Sequence, residues 1–140
     1  MLQGLYTWLA APECTLSPWQ GDAVSSEMVS QAPGWEQVKW RRRLDFASGA
    51  LTVTDTVETP VEREFAFVFI LHPDVEVAFD ETHTRAILTN ADVKAEALFP
   101  FPAEALPGTG FVDFRKVPLK RIVMRRRCCG GTFPVVFRAI

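Results

Sequence analysis

Residues 40–57 read Trp40-Arg41-Arg42-Arg43-Leu44-Asp45-Phe46-Ala47-Ser48-Gly49-Ala50-Leu51-Thr52-Val53-Thr54-Asp55-Thr56-Val57. Side chains along a strand point alternately to its two faces. In the first half, Trp40, Arg42, Leu44 and Phe46 therefore share one face. In the second half, Leu51, Val53, Asp55 and Val57 share a face, with Thr52, Thr54 and Thr56 behind them. Ser48-Gly49 supplies a tight turn. An even-length loop centred there opposes Phe46 to Leu51, Leu44 to Val53, Arg42 to Asp55 and Trp40 to Val57. The one charged residue on each apolar face thus lands opposite the other. A lone charge in such surroundings is costly, whereas a guanidinium against a carboxylate satisfies both. Arg42 and Asp55 are expected to form a structural ion pair beneath the sheet. The alternative is a ligand-binding role for Arg42.

The same punctuation recurs along the chain. Breaks fall at Pro12, Pro18, Pro33-Gly34, Thr59-Pro60, His72-Pro73-Asp74, Asn90-Ala91-Asp92, Pro100 to Gly110, Pro118 and Gly130-Gly131. Short runs rich in Val, Phe, Thr and Leu lie between them. Frequent turns between short β-prone runs predict an all-β fold, an antiparallel β-sandwich over residues 35–140. Glu64 to His72 reads as a central strand. Phe65, Phe67, Phe69 and Leu71 form one stripe and Ala66, Val68 and Ile70 the other, so both faces are expected to be covered. The second cover would come from the N-terminal segment, a second sheet or another domain. Further strands are expected at Val75 to Phe79, Thr84 to Thr89, Val93 to Phe99 and Phe111 to Arg115. Gly130-Gly131 is expected to close a second hairpin, setting Met124 opposite Phe137 and Ile122 opposite Ala139. Pro134 would make its return run an edge or a bulge. Residues 1–34 carry Pro12, Pro18, Pro33 and few β-branched side chains. They predict an irregular N-terminal arm with room for a short helix.

A chain of 140 residues with eleven Phe, four Trp and a net charge of −2 can build one hydrophobic core and is not intrinsically disordered. No run reaches the roughly 18–20 apolar residues of a spanning helix, so no membrane partner is expected. No basic segment precedes the mildly apolar Leu2 to Ala11, so no secretory signal is read there. Cys14, Cys128 and Cys129 are odd in number and lack zinc-ligand spacing, which predicts buried free thiols rather than a disulfide framework.

Charge is patterned although the total is small. Eleven of the fifteen basic residues fall at Lys39 to Arg43 and Arg115 to Arg127, while residues 44–114 hold thirteen acids and three basic residues. Such a division fits a surface for an anionic polymer. Arg41, Arg43, Arg125 and Arg127 are the candidate polyanion contacts. No nucleic-acid motif accompanies them, so nucleic acid is not an expected partner. The catalytic inventory is thin: His72, His83 and Tyr6 stand without a readable nucleophile–base–orienter set. His72 reads as a strand-end side chain and His83 as a turn residue beside Asp80 and Glu81. No catalytic residue, cofactor or metal ligand is assigned.

The run Trp40 to Phe46, the run Gly49 to Val57 and the run Phe69-Ile70-Leu71-His72-Pro73-Asp74-Val75-Glu76-Val77 together resemble heparinase II/III-like proteins. The likeness is to the part following their catalytic region. It covers residues 35–90 well, residues 91–140 in outline, and not residues 1–34. The resemblance implies a β-sandwich that follows a toroid of helices in a lyase of acidic polysaccharides acting by β-elimination. It places the acid–base residues in the helical portion or at its junction with the sandwich, so none is carried over here. It implies a non-catalytic domain, inactive alone, that braces a helical catalytic domain. It also implies a periplasmic or extracellular setting. The alternative is a free-standing β-sandwich that binds an acidic glycan or a protein; less favoured is a small enzyme built on His72.

Overall fold

The computed structural model describes residues 13–16, 23–29, 37–112 and 114–140. Among them run nine strands: β1 (Glu13–Leu16), β2 (Ala23–Val29), β3 (Lys39–Ala47), β4 (Ala50–Ile70), β5 (Glu76–Phe79), β6 (Arg85–Asn90), β7 (Val93–Leu98), β8 (Ala103–Val112) and β9 (Arg115–Ala139). Every neighbouring pair is antiparallel. The fold is an all-β sandwich, and no described residue is helical. The β3–β4 hairpin turns at Ser48-Gly49, where φ is +52° and +75°. Its ladder opposes Phe46 to Leu51, Leu44 to Val53, Arg42 to Asp55 and Trp40 to Val57.

Two long strands make two layers out of one ladder. Residues 50–58 of β4 lie between β3 and residues 130–138 of β9; the register then slips between Glu58 and Arg63, and residues 63–70 pair with 121–128. The first layer therefore runs β1-β2-β3-β4-β9-β7-β6-β5. The second consists of the end of β4, the start of β9, and β8. Phe67 in the second layer meets Trp40 and Phe133 of the first at ring-centroid distances of 5.2 and 5.1 Å, and Phe69 meets Phe137 at 5.5 Å. Val57, Phe65, Phe67, Ile122, Met124 and Val135 fill the space between. Burial of each of these large side chains stabilises the fold by roughly 1.5–3 kcal/mol.

Gly130-Gly131 makes no hairpin. β9 runs straight through it, Gly130 opposite Glu58 and Gly131 opposite Val57. Met124 faces Phe67 and Ala103, and Phe137 faces Leu51 and Ala97. Ile122 faces Phe69 and Ala105, while Ala139 faces Ala95. The glycines mark the crossing between layers: Gly131 takes φ +154°, and a Cβ on Gly130 would sit 3.0 Å from the Val57 carbonyl oxygen. Pro60 falls in the slip opposite, where residues 59–62 make no ladder pair with β9, so its missing N–H costs nothing there.

The stretch Pro100 to Gly110 is largely strand rather than loop. Its Pro107 sits on β8, which pairs only with β9 among the described residues. Gly108 and Gly110 lie under Leu119, whose side chain would stand 2.8 and 2.4 Å from an added Cβ. Phe111 to Arg115, expected as one strand, is split between two: Phe111 and Val112 end β8 and Arg115 begins β9, with Val112 opposite Arg115. Residues 63–70 are not central either. The slip carries them to the margin of the second layer, where their described ladder partner is β9 alone. Their Phe face is buried, but Ala66 and Val68 are half-buried and Ile70 is 73% exposed. Within the N-terminal arm, β1 and β2 extend the sheet beyond β3. The stretch Leu2 to Ala11 and the rest of that arm lie outside the described residues.

Candidate functional site

The inward-facing charge cluster is built on the first hairpin. Asp55 has no solvent exposure. Arg42 donates from Nε to Asp55 Oδ1 at 2.8 Å and from Nη2 to Oδ2 at 2.7 Å, and the Trp40 indole N–H donates to Oδ1 at 2.7 Å. The guanidinium carbon lies 5.2 Å from the centre of the Phe69 ring. A bidentate fork, an indole donor and an aromatic face together satisfy a carboxylate that water cannot reach. A cleft of about 400 Å³ opens beside Arg42, lined also by Ser26, Met28, Trp40, Ala66 and Val68.

The four candidate arginines divide into two pairs. Arg41 and Arg43 project from the outward face of β3 in the first layer, opposite Thr56 and Thr54. Arg125 and Arg127 project from the outward face of β9 in the second layer, opposite Ala66 and Glu64. Each has a carboxylate at hand. Arg41 meets Glu27 at 2.6 Å, Arg43 meets Asp45 at 2.7 Å, and Arg127 meets Glu62 at 2.9 Å. Arg125 lies between Glu104 at 3.5 Å and Glu64 at 3.9 Å. The Arg43 fork holds the Asp45 carboxyl below its ordinary range.

A second buried acid has no counterpart in the sequence reading. Glu96 on β7 lies opposite Arg138 on the outward face yet is only 4% exposed, because Arg138 and Arg85 close over it and each bonds one of its oxygens. The Arg85 hydrogen bond, then that of Arg138, keeps its carboxyl below the usual value. The signal was available. Glu96 is the one acid in Val93-Lys94-Ala95-Glu96-Ala97-Leu98, as Asp55 is in Leu51 to Val57.

The histidines do not assemble a reactive centre among the described residues. His72 is exposed at the end of β4, with Asp74 at 3.5 Å. His83 stacks on Phe79 at 5.1 Å, and its Nδ1 lies 3.1 Å from the Ala103 carbonyl oxygen. Its turn is organised by Asp80, whose carboxyl is lowered first by the Thr82 hydroxyl and also by backbone N–H groups. Among the described residues no three His, Cys, Asp or Glu side chains gather at metal-binding distance. Cys128 is half-buried and Cys129 exposed, both as free thiols. Tyr6 lies outside the described residues.

Comparison with known proteins agrees with this architecture. The heparinase II/III-like C-terminal family matches residues 7–117. The heparan sulfate lyase HepC from Pedobacter heparinus superposes with a TM-score of 0.71 at 14% identity, over 91% of this chain and 22% of that one. A crystal structure of heparinase III gives 0.64 at 14% identity, over 91% and 21%. At such identities the likeness shows the fold, and the chain spans about a fifth of the length of either structure. No curated protein matches. The family match covers most of the chain, from within the N-terminal arm to the start of β9: the chain belongs to the heparinase II/III-like C-terminal family.

Proposed function

We propose that this chain is a non-catalytic β-sandwich serving a lyase of acidic polysaccharides. It braces a helical catalytic domain and completes one wall of that domain's polyanion cleft. The observation that carries this reading is the proportion of the match, 91% of this chain against 22% of a heparan sulfate lyase. The residues here correspond to a sandwich, with most of the enzyme's length beyond them. β-Elimination needs a base for the proton beside the uronate carboxylate, an acid for the leaving oxygen and a group that neutralises the carboxylate. The exposed His72 and the stacked His83 supply no such trio.

Incubating the chain with heparan sulfate and alginate tests the reading. No rise in ultraviolet absorbance from unsaturated chain ends is expected. Sustained formation of such ends by this chain alone would overturn it.

A second reading, a free-standing module for an acidic glycan, is favoured by the exposure of Arg41, Arg43, Arg125 and Arg127. Their surface ion pairs contribute only about 0–1 kcal/mol each, so a sulfate or carboxylate on a glycan can take the place of the protein's own carboxylate. Retention on heparin resin that fades with salt supports this module.

A further inference from the structure

Beyond Arg121, β9 and β8 leave the sandwich. The last ladder pair between β4 and β9 is Ile70 with Arg121. Residues 107–120 continue as a two-stranded ribbon closed by the turn at Phe114. Isolated ribbons of this kind are marginally stable in water. In this one Leu119 lies across Gly108 and Gly110. Its tip carries Phe111 at 66% exposure and Phe114 fully exposed, the latter at φ +63°, a strained setting for an aromatic residue.

The ribbon also holds cations that no carboxylate among the described residues neutralises. Among the described residues, Arg115, Lys116 and Arg121 have no carboxylate within 4 Å, whereas Arg41, Arg43, Arg125 and Arg127 all do. Lys120 is occupied by Glu76 and the Val75 carbonyl. The single acid in residues 105–124 is Asp113. Arg115, Arg121, Arg125 and Arg127 all fall on one face of β9 by the strand period, a row about 40 Å long.

We propose that this face of β9 is a track for a linear acidic polysaccharide, entered at the ribbon. Arg115 and Arg121 are its principal cations, Arg125 and Arg127 extend it, and Phe114 stacks against a sugar ring. The proposal rests on the glycan-associated reading above and moves its main contact from the paired arginines to those with no carboxylate partner among the described residues. The spread of charge selects the ligand. Arg115 and Arg121 stand about 20 Å apart along the strand, whereas the headgroup layer of a bilayer leaflet is only about 5–8 Å deep. A ribbon inserted by its tip would leave one of them outside that layer. A linear polyanion meets both.

The test is binding of the chain to heparin by calorimetry at several salt concentrations. Arg115→Ser/Arg121→Ser should weaken binding about tenfold and reduce the salt slope by about two, as expected for two lost ion contacts. Phe114→Ser should weaken binding about threefold with the slope unchanged, because it removes contact area and no charge. Arg115→Lys/Arg121→Lys should retain the slope, and Lys39→Ser/Lys94→Ser, an equal loss of charge elsewhere, should leave affinity within twofold of the parent. Unchanged melting temperatures show that each variant is folded. Three results overturn the track: no heparin binding by the parent chain, a larger loss from Arg41→Ser/Arg43→Ser, or stronger binding to phosphatidylglycerol vesicles than to heparin. None of them touches the bracing role, which the lyase assay tests separately.

Discussion

Asp55 and Glu96 are the two acids buried among the described residues, and they are accommodated in opposite ways. Asp55 faces inward on β4. Its partners are fixed by packing, with Arg42 under the Phe69 ring and Trp40 wedged against Phe65 and Phe67. Glu96 faces outward on β7. It is sealed by Arg85 and Arg138, whose side chains remain half exposed. In the first case the fold buries the charge. In the second, the aliphatic stems of two surface residues cover it. The difference teaches where each cluster is vulnerable. The inward one depends on shape, and its carboxylate is shielded from solvent. The outward one can be reached by protons and salt.

The largest effect should follow Asp55→Ala. Removing the carboxylate leaves Arg42 without its partner in a partly buried setting and strands the Trp40 N–H, for a loss of about 3–5 kcal/mol by urea denaturation. A loss under about 0.5 kcal/mol would remove the ion pair from the account of stability. Arg42→Met/Asp55→Leu should recover much of that loss, because apolar side chains of similar volume replace a buried ion pair at little cost. Trp40→Phe comes next. It keeps an aromatic ring against Phe67 but deletes one donor to a charged acceptor, a loss of about 1.5–3 kcal/mol. If Trp40→Phe and Asp55→Ala prove additive in the double variant, the indole does not act through Asp55.

The inward cluster was legible because two independent patterns agreed. Alternation put Arg42 and Asp55 each on an apolar face, and Ser48-Gly49 fixed the register that opposed them. Gly130-Gly131 offered the same turn signal with the opposite outcome. Short-range chemistry reports that a backbone needs freedom at that point, but not whether it reverses or changes layer. What decided it was the slip between Glu58 and Arg63, a long-range event on another strand. β8 was hidden for a related reason. Pro107, Gly108 and Gly110 look like loop residues, and only the overlying Leu119 explains why glycine is required inside a strand. Glu96 went unread because its two partners lie 11 residues before it and 42 after it, with no single hairpin to pair them. For the candidate arginines, sequence located the positive charge well. It could not show which guanidiniums carboxylates from neighbouring strands already occupy.

The outward cluster should give the smallest effect, and one that conditions can tune. Arg85 and Arg138 hold the Glu96 carboxyl below its ordinary value of 4.5 in the folded protein. A depressed carboxyl contributes stability that is present above the unfolded value and lost as pH falls through the folded one. The parent should therefore lose stability to acid below about pH 4.5 more steeply than Glu96→Gln, the two curves converging as the carboxyl protonates. Asp45 and Asp80 are depressed as well, but they titrate in both proteins, so the difference between the curves isolates Glu96. Salt should narrow the gap at neutral pH, because the covering guanidiniums are open to solvent, and should leave the Asp55→Ala deficit almost untouched. Parallel acid limbs for parent and Glu96→Gln, or equal salt sensitivity at the two acids, would erase the distinction between a charge buried by the fold and one covered from its surface.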